Sequence, residues 1–225
     1  MALTRVAVGA LMLAGAIIAG DLSGQVIISR KLSRQTINPA TYNLRGAAPP
    51  AAPGSSTAAV NEFSQTVIFV ETAGMAPPAP QTAVIEQRNS RFEPDLIVIP
   101  VGSTVQFPNQ DPIFHNVFSL SRARQFDLGY YPQSKSKSIT FDQPGVVQVY
   151  CHLHANMYAA IVVTGSPWAE RLANTGDFVF HNIPAGHYRI VAWHKVAGAR
   201  AVEADVPAAG EARVTIGIPI DEARN

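Results

Sequence analysis

The sequence predicts an all-β protein, and three observations favour this class. Its β-branched and aromatic residues lie in short runs rather than in long helical patterns. The runs are separated by glycine and proline, which number 16 and 17 among the 225 residues and suit turns better than helices. No convincing long amphipathic helix is found between residues 82 and 164. Evenly spaced short strands with Gly/Pro turns predict a β-sandwich with Greek-key connections there.

Residues 1–20 have the pattern of an export signal. Arg5 supplies a positive start, an apolar run follows from Val6 to Ala19, and Gly20 or Gly24 could precede the cleavage site. The alternative is an uncleaved membrane tether, but the run is shorter than the roughly 20 residues a spanning helix needs. We therefore expect a periplasmic or otherwise exported protein, with membrane contact only through a retained signal.

Two strands and two linkers are predicted before the central region. The strands are 24–29 and 65–71, with a further extended piece at 40–44. A Pro-rich, low-complexity linker, 46–58, lies between them. A second Pro-rich linker, 74–80, marks a domain boundary.

The central region is predicted as one sandwich, and the residues after 165 as a further unit. The central strands are 83–87, 96–100, 103–107, 115–120, 137–141, 146–150 and 159–163, whereas 121–133 is predicted as irregular. The strands after residue 165 are 176–180, 187–193, 202–206 and 212–218. Four strands alone would make half a sandwich and leave an apolar face uncovered.

Net charge and cysteine content limit the classes of function that the protein can have. Removing Arg5 with the signal leaves 16 basic against 16 acidic residues, and this balance argues against nucleic acid or a polyanionic partner. The single cysteine, Cys151, excludes an internal disulfide. A free thiol is a liability in an oxidising compartment, and binding it to a metal is a reason to keep it. The alternative is a buried, inert cysteine.

The sequence Cys151-x-x-His154-x-x-Met157 has the spacing of a metal-binding loop. A tight loop between two strands can turn all three side chains towards one atom, with His115 supplied from a neighbouring strand edge. A thiolate and a thioether together with imidazoles favour copper, in particular Cu(I). Zinc more usually takes a further Cys or His than a methionine.

The motifs around this loop resemble those of a known family. They are Phe92-x-Pro94, Val101-Gly102, Phe107-x-Asn109-x-Asp111, His115-Asn116, Phe141-x-x-Pro144-Gly145 and Tyr150-Cys151-x-x-His154-x-x-Met157. Over about residues 82–164 this pattern resembles the cupredoxins, the small blue copper proteins. The loop has the short spacing of amicyanin, and the wider sequence is similar to bacterial plastocyanin-type proteins of methylamine utilisation.

The resemblance implies a copper site and a route for electrons. One copper ion, cycling between Cu(I) and Cu(II), would be held by His115, Cys151 and His154, with Met157 as axial ligand. Asn116 would clamp the two ligand loops and tune the metal. Electrons would pass through the exposed edge of His154, inside an apolar patch.

Residues 165–220 resemble a second family, the carboxypeptidase-regulatory or transthyretin-like β-sandwiches. The resemblance rests on Gly176-x-Phe178, Ile183-Pro184-Ala185-Gly186-x-Tyr188 and Trp193-His194. Such a domain normally begins with two strands that are missing after residue 165 but present at 24–29 and 65–71. We therefore predict a discontinuous sandwich made from 21–75 and 165–221, with the copper domain, 80–164, inserted between them.

The remaining candidate residues are assigned structural or surface roles. His152 is too close to Cys151 to share its metal and is predicted to be solvent-exposed. His181, His187 and His194 share no metal-ligand spacing and are predicted to be structural or on the surface. Asp111 and Asp127 are predicted to form turns. No Ser-His-Asp or phosphate-loop pattern occurs.

The sequence therefore predicts an exported copper protein that carries single electrons between protein redox partners, without a small-molecule substrate. The alternative is a copper-binding or copper-delivery protein without electron transfer. An enzyme such as a multicopper oxidase needs a second ligand set, commonly further His-x-His pairs. Because His152 and His154 form the sole such pair, we expect no enzymatic activity.

Overall fold

The computed structural model describes residues 19–29, 61–72 and 74–219, and in these ranges the chain is almost entirely β. A 3₁₀ turn, Glu62–Gln65, precedes the second strand. The described strands are β1 (Ala19–Ile28), β2 (Thr66–Glu71), β3 (Thr82–Val84), β4 (Glu86–Arg88), β5 (Arg91–Glu93), β6 (Leu96–Pro100), β7 (Thr104–Pro108), β8 (His115–Ser121), β9 (Arg124–Tyr131), β10 (Ser136–Thr140), β11 (Gly145–Tyr150), β12 (Tyr158–Thr164), β13 (Ala169–Arg171), β14 (Asp177–Pro184), β15 (Gly186–His194), β16 (Gly198–Val206) and β17 (Glu211–Ile218). The all-β prediction is confirmed.

The first sandwich is built from β3 to β12. One sheet has the order β6-β12-β11-β8-β9, and the facing sheet has the order β10-β7-β3. The chain leaves the five-stranded sheet after β9, enters the other sheet as β10, and returns as β11 beside β8. This crossing is the predicted Greek-key connection. The core between the sheets contains Phe92, Phe107, Phe141, Val147, Val149 and Ile161.

Strand β12 is apolar on both faces because both are covered. Ala159, Ile161 and Val163 pack in the core of the first sandwich. Ala160 and Val162 point the other way and pack against the second sandwich. Side chains alternate across a strand, so a continuous apolar run marks a strand buried on both sides.

The second sandwich joins strands from both ends of the chain. Its sheets have the orders β14-β1-β17 and β13-β2-β15-β16. Strand β1 runs antiparallel to β14 and parallel to β17. Strand β2 lies between β13 and β15, antiparallel to both. This is the pairing that the predicted discontinuous arrangement requires, and it encloses a core that includes Leu22, Ile68, Phe178, Ile190 and Ile216.

The two sandwiches pack face to face. Val67 and Trp193 of the second sandwich bury against Leu96, Ala160 and Val162 of the first. At the rim of this contact, the Lys195 ammonium donates to the Asp95 carboxylate over 2.5 Å. The Arg171 guanidinium also bridges the sandwiches, since it donates to the carbonyl oxygens of Ser64 and Leu96.

The first strand begins earlier than predicted. It starts at Ala19 instead of residue 24, so it includes the last two residues of the predicted export signal. The early start follows from its pairing, because the Asp21 N–H donates to the Gly210 carbonyl and Leu22 is fully buried. Residues 1–18 of that signal, the extended piece 40–44 and the linker 46–58 lie outside the described residues.

Two predictions for the first sandwich are wrong. The segment 121–133, predicted as irregular, contains β9, where Phe126, Leu128 and Tyr131 pack on the core. The predicted strand 83–87 is two strands, β3 and β4, which belong to different sheets. Strand β4 pairs with β5, itself not predicted, through a turn at Asn89 and Ser90.

Within the described residues there is no helix with the length and apolarity that crossing a bilayer requires.

His194 ends β15 and is fully buried. Its Nδ1 accepts hydrogen bonds from the N–H groups of Val196 and Ala197, at 3.1 and 3.2 Å, so the ring is held neutral with its proton on Nε2. The Nε2 atom faces the Glu62 carboxylate at 3.4 Å. Burial lowers the pKa of His194 to about 4.

We expect acid to destabilise the protein through His194. The unfolded imidazole takes up a proton near pH 6.5, whereas the folded one does so near pH 4, so the free energy of unfolding falls as the pH drops between these values. The expected loss between about pH 7 and pH 5 is about 2 kcal/mol. Urea unfolding at both pH values measures it.

The matched variant is His194→Asn, whose side-chain oxygen can still accept from the two N–H groups but does not titrate. Burial raises the pKa of Glu62, which gives a pH dependence of the opposite sign. The test is therefore the difference between the wild type and His194→Asn. Equal pH dependence in the two proteins would contradict the assignment.

Candidate metal centre

The candidate site lies at one end of the five-stranded sheet. Strand β8 begins with His115, and Cys151 directly follows β11. These strands are neighbours, with Phe118 paired to Tyr150, so His115 and Cys151 lie at the same sheet end. His154 lies in the loop that leads from Cys151 into β12.

The structure brings three of the predicted site residues together. The ligand atoms of His115, Cys151 and His154 all lie within 4.8 Å of one another. The Cys151 Sγ is 4.0 Å from the His115 Nδ1. The two imidazole rings lie 4.8 Å apart between centroids, at an angle of 66°.

The chemistry of these atoms fits a metal ion. Cys151 is a free, buried thiol, and His115 is fully buried. The Nδ1 atom of His154 is also buried, and it has no hydrogen-bond partner. A buried polar atom without a partner costs free energy, which a bound metal would remove. One sulfur and two imidazole nitrogens are a donor set that suits copper.

His115 is oriented by Asp111. The His115 Nε2–H donates to the Asp111 carboxylate over 2.8 Å, which leaves Nδ1 free to face the thiol. The carboxylate also accepts from the backbone N–H groups of Asn89 and Ser90, at 2.7 and 2.8 Å. Partial burial raises the pKa of Asp111, but the hydrogen bonds from Ser90, His115 and Asn89 outweigh it and hold the pKa below its ordinary value.

Asn116 links the two segments that carry the candidate ligands. Its side-chain oxygen accepts from the His152 N–H over 3.2 Å, and its amide donates to Asp127 over 2.7 Å. His152 itself is exposed and stacks on Phe118 with ring centroids 3.8 Å apart. These contacts hold the loop after Cys151 against β8, as a clamp would.

Met157 is fully buried in the same core cluster as Cys151. Its backbone N–H donates to the His154 carbonyl over 3.0 Å, which tightens the loop before β12. Its role as an axial ligand stays a prediction.

The surface beside the site carries exposed apolar side chains. Phe114, which precedes His115, is 56% exposed, and Leu153, which precedes His154, is 52% exposed. Ile113 is 43% exposed. These three residues, here called the apolar patch, flank the candidate ligands in the chain.

The other histidines lie outside the cluster. His181 and His187 are exposed and contact Asp21 and Asp205, at 2.9 and 2.8 Å. The prediction that Asp127 forms a turn is wrong: Asp127 lies within β9, where its carboxylate accepts from the Gly129 N–H over 2.8 Å. The contact of Asp111 with His115 was not expected from the sequence. The sequence feature that could have revealed this contact is the four-residue spacing between Asp111 and His115, in the loop that leads into β8.

Comparisons with known proteins were made for the whole chain. No protein-family model matches it, and no curated protein sequence matches it. Among solved structures, it is similar to a copper-containing nitrite reductase from Thermus scotoductus SA-01 at 24% identity and a TM-score of 0.36, over 42% of this chain and 25% of that one. The matched part thus spans a quarter of the reductase.

Two small proteins are also similar. A purple cupredoxin from Nitrosopumilus maritimus has 23% identity and a TM-score of 0.34, over 36% of this chain and 99% of that one. A tryptophan-to-tyrosine mutant of amicyanin, in its reduced state, has 20% identity and a TM-score of 0.35, over 43% of this chain and 97% of that one.

We expect Asn116→Ala to weaken copper binding about 10- to 100-fold, since it removes the hydrogen bond from the His152 N–H that holds the ligand loop and the hydrogen bond to Asp127 that orients the Asn116 amide. Competition titration with a Cu(I) chelator measures the change. Asn156→Ala is the matched control, because Asn156 is an exposed asparagine of the same loop. Equal affinities for the two variants would show that the clamp does not support the site.

Proposed function

We propose that this protein is a blue-copper electron carrier that binds one copper ion and cycles it between Cu(I) and Cu(II). His115, Cys151 and His154 would hold the ion, with Met157 as a weak axial ligand. The observation that carries the proposal is the buried, free Cys151 thiol within 4.8 Å of two imidazole nitrogens, one of them unpartnered. Bound copper would supply reversible one-electron chemistry.

The role of the protein in this function is to keep the side chains that would bind copper in fixed positions. His115 and Cys151 are fixed by neighbouring strands, and Asp111 and Asn116 fix the ring of the first and the loop of the second. Ligands that keep their positions suit both copper oxidation states, which favours rapid electron exchange. Cys151 is only 7% exposed, so little water reaches its sulfur.

Electron exchange would take place at the apolar patch. His154 is partly exposed, whereas His115 and Cys151 are buried. His154 therefore offers the shortest path for an electron between the metal site and the protein surface. The exposed apolar side chains that flank His115 and His154 in the chain suit brief contact with a redox protein. We further propose that the protein is exported and meets its electron donor and acceptor there.

Copper delivery is the second candidate function. A donor must release its ion to incoming ligands, which favours an accessible site. Here the thiol and one imidazole are buried, and this observation favours electron transfer. We do not propose an enzymatic activity, since a single three-residue cluster of this kind is found in the described ranges.

We expect the protein loaded with Cu(II) to show an intense visible thiolate-to-copper band and the matching EPR spectrum. Cys151→Ala should lose the band, because the thiolate is its source. His181→Ala is the control and should keep it, since His181 is exposed and lies outside the cluster. A wild-type protein without the band would refute the blue-copper proposal.

We expect Phe114→Glu to slow electron self-exchange between two copies of the protein about tenfold or more, because like charges would meet at the apolar patch. The visible spectrum should not change. NMR line broadening in mixtures of oxidised and reduced protein measures the rate. Leu120→Glu is the control: it places the same charge at an exposed residue of β8, further from the site. Equal slowing in both variants would exclude the patch as the contact surface.

A further inference from the structure

The carboxylate of Asp111 places a negative charge beside one candidate copper ligand. Its oxygen lies 2.8 Å from the His115 Nε2, and the side chains are 10% and 0% exposed. Water therefore screens this pair weakly. On the opposite side of the ring, Nδ1 faces the Cys151 Sγ.

Asp111 cannot readily turn away from His115, because a turn holds it. Asn89 and Ser90 both have φ of +53°, a left-handed conformation in which their successive N–H groups point at the carboxylate. The Asp111 N–H in turn donates to the side-chain oxygen of Asn109 over 2.9 Å. Asn109 is fully buried and donates to the carbonyls of Ile113 and Tyr131. These hydrogen bonds fix the position of the Asp111 carboxylate relative to the strands of the first sandwich.

We infer that Asp111 is a positioning residue that biases the site towards Cu(II), and thereby lowers its reduction potential. This inference rests on the proposed copper function. A hydrogen bond to a carboxylate fixes the imidazole tautomer and makes the coordinating nitrogen more basic. The carboxylate's charge also attracts Cu(II) more strongly than Cu(I), because Coulomb attraction scales with the charge of the ion.

A second imidazole–carboxylate pair in the same part of the molecule differs from the pair of Asp111 and His115 in its exposure. Asp127 faces His152 at 3.8 Å, but that pair is exposed and His152 is not part of the cluster. The effect on the metal is therefore assigned to Asp111 and not to Asp127.

The effect of the negative charge of Asp111 is tested with Asp111→Asn, which removes the charge but keeps the size of the side chain and one acceptor oxygen. Its Cu(II) affinity should fall about 10- to 100-fold and its Cu(I) affinity should fall less, so its reduction potential should rise. Competition titrations and a redox titration measure these quantities. Asp111→Glu, which keeps the charge, should lie nearer the wild type.

Asp142→Asn is the matched control for loss of one negative charge. Asp142 is exposed and precedes β11 at the end opposite Cys151, so the strand separates it from the site by roughly 17 Å. Its potential should equal that of the wild type. An unchanged potential in Asp111→Asn, or equal loss of affinity for both oxidation states, would overturn the inference.

A measurement on the wild type keeps the inference testable if Asp111→Asn does not fold. Nitrogen NMR of the metal-free protein should find the His115 proton on Nε2, and a proton on Nδ1 would overturn the proposal. Failure of the copper function itself is separate, since the wild type would then lack the thiolate-to-copper band.

Discussion

The pairing of β11 with β8 on one side and β12 on the other is the constraint on which the candidate site depends. It places the first residue of β8 and the residue after β11 at the same sheet end. The loop from Cys151 must then return within a few residues to start β12, which turns His154 inward. The ligand cluster is therefore a consequence of strand order, and the side chains of Asp111 and Asn116 refine a geometry that the backbone has already set.

The second sandwich uses the same strand from its other side. Ala160 and Val162 of β12 pack under Val67 and Trp193, so two hydrophobic cores share one strand. Burial of this kind contributes stability in proportion to the apolar area removed from water. Because β12 follows the ligand loop directly, the packing of the second sandwich also fixes the end of that loop. The accessory unit thus supports the site without contributing a residue to it.

Much of this arrangement could be predicted from residues that are close in the chain. The spacing of Cys151 and His154 and the alternating strands before them are local signals, and the structure brings these two residues together with His115. The prediction of a discontinuous sandwich rests on C-terminal strands that lack their usual partners in the sequence after residue 165, and in the structure β1 pairs with β14 and β17 and β2 pairs with β15. In contrast, β9 was missed because Asp127 and Gly129 are residue types that strands usually avoid, although Phe126 and Leu128 alternate with them. The role of Asp111 could not be predicted, since it depends on the turn at Asn89 and Ser90, which lies in a hairpin that the sequence did not reveal.

The insertion of one sandwich into the other makes some contacts of the second sandwich very long-range in the chain. Phe69 of β2 pairs with Ala169 of β13, so two residues a hundred positions apart must meet before the second sandwich can close. Closing so long a loop in an unfolded chain carries a large entropy cost and slows folding. Once the first sandwich has folded, its two ends are already neighbours, and the same closure becomes a short-range event. The folded first sandwich therefore brings together the two segments of the domain into which it is inserted.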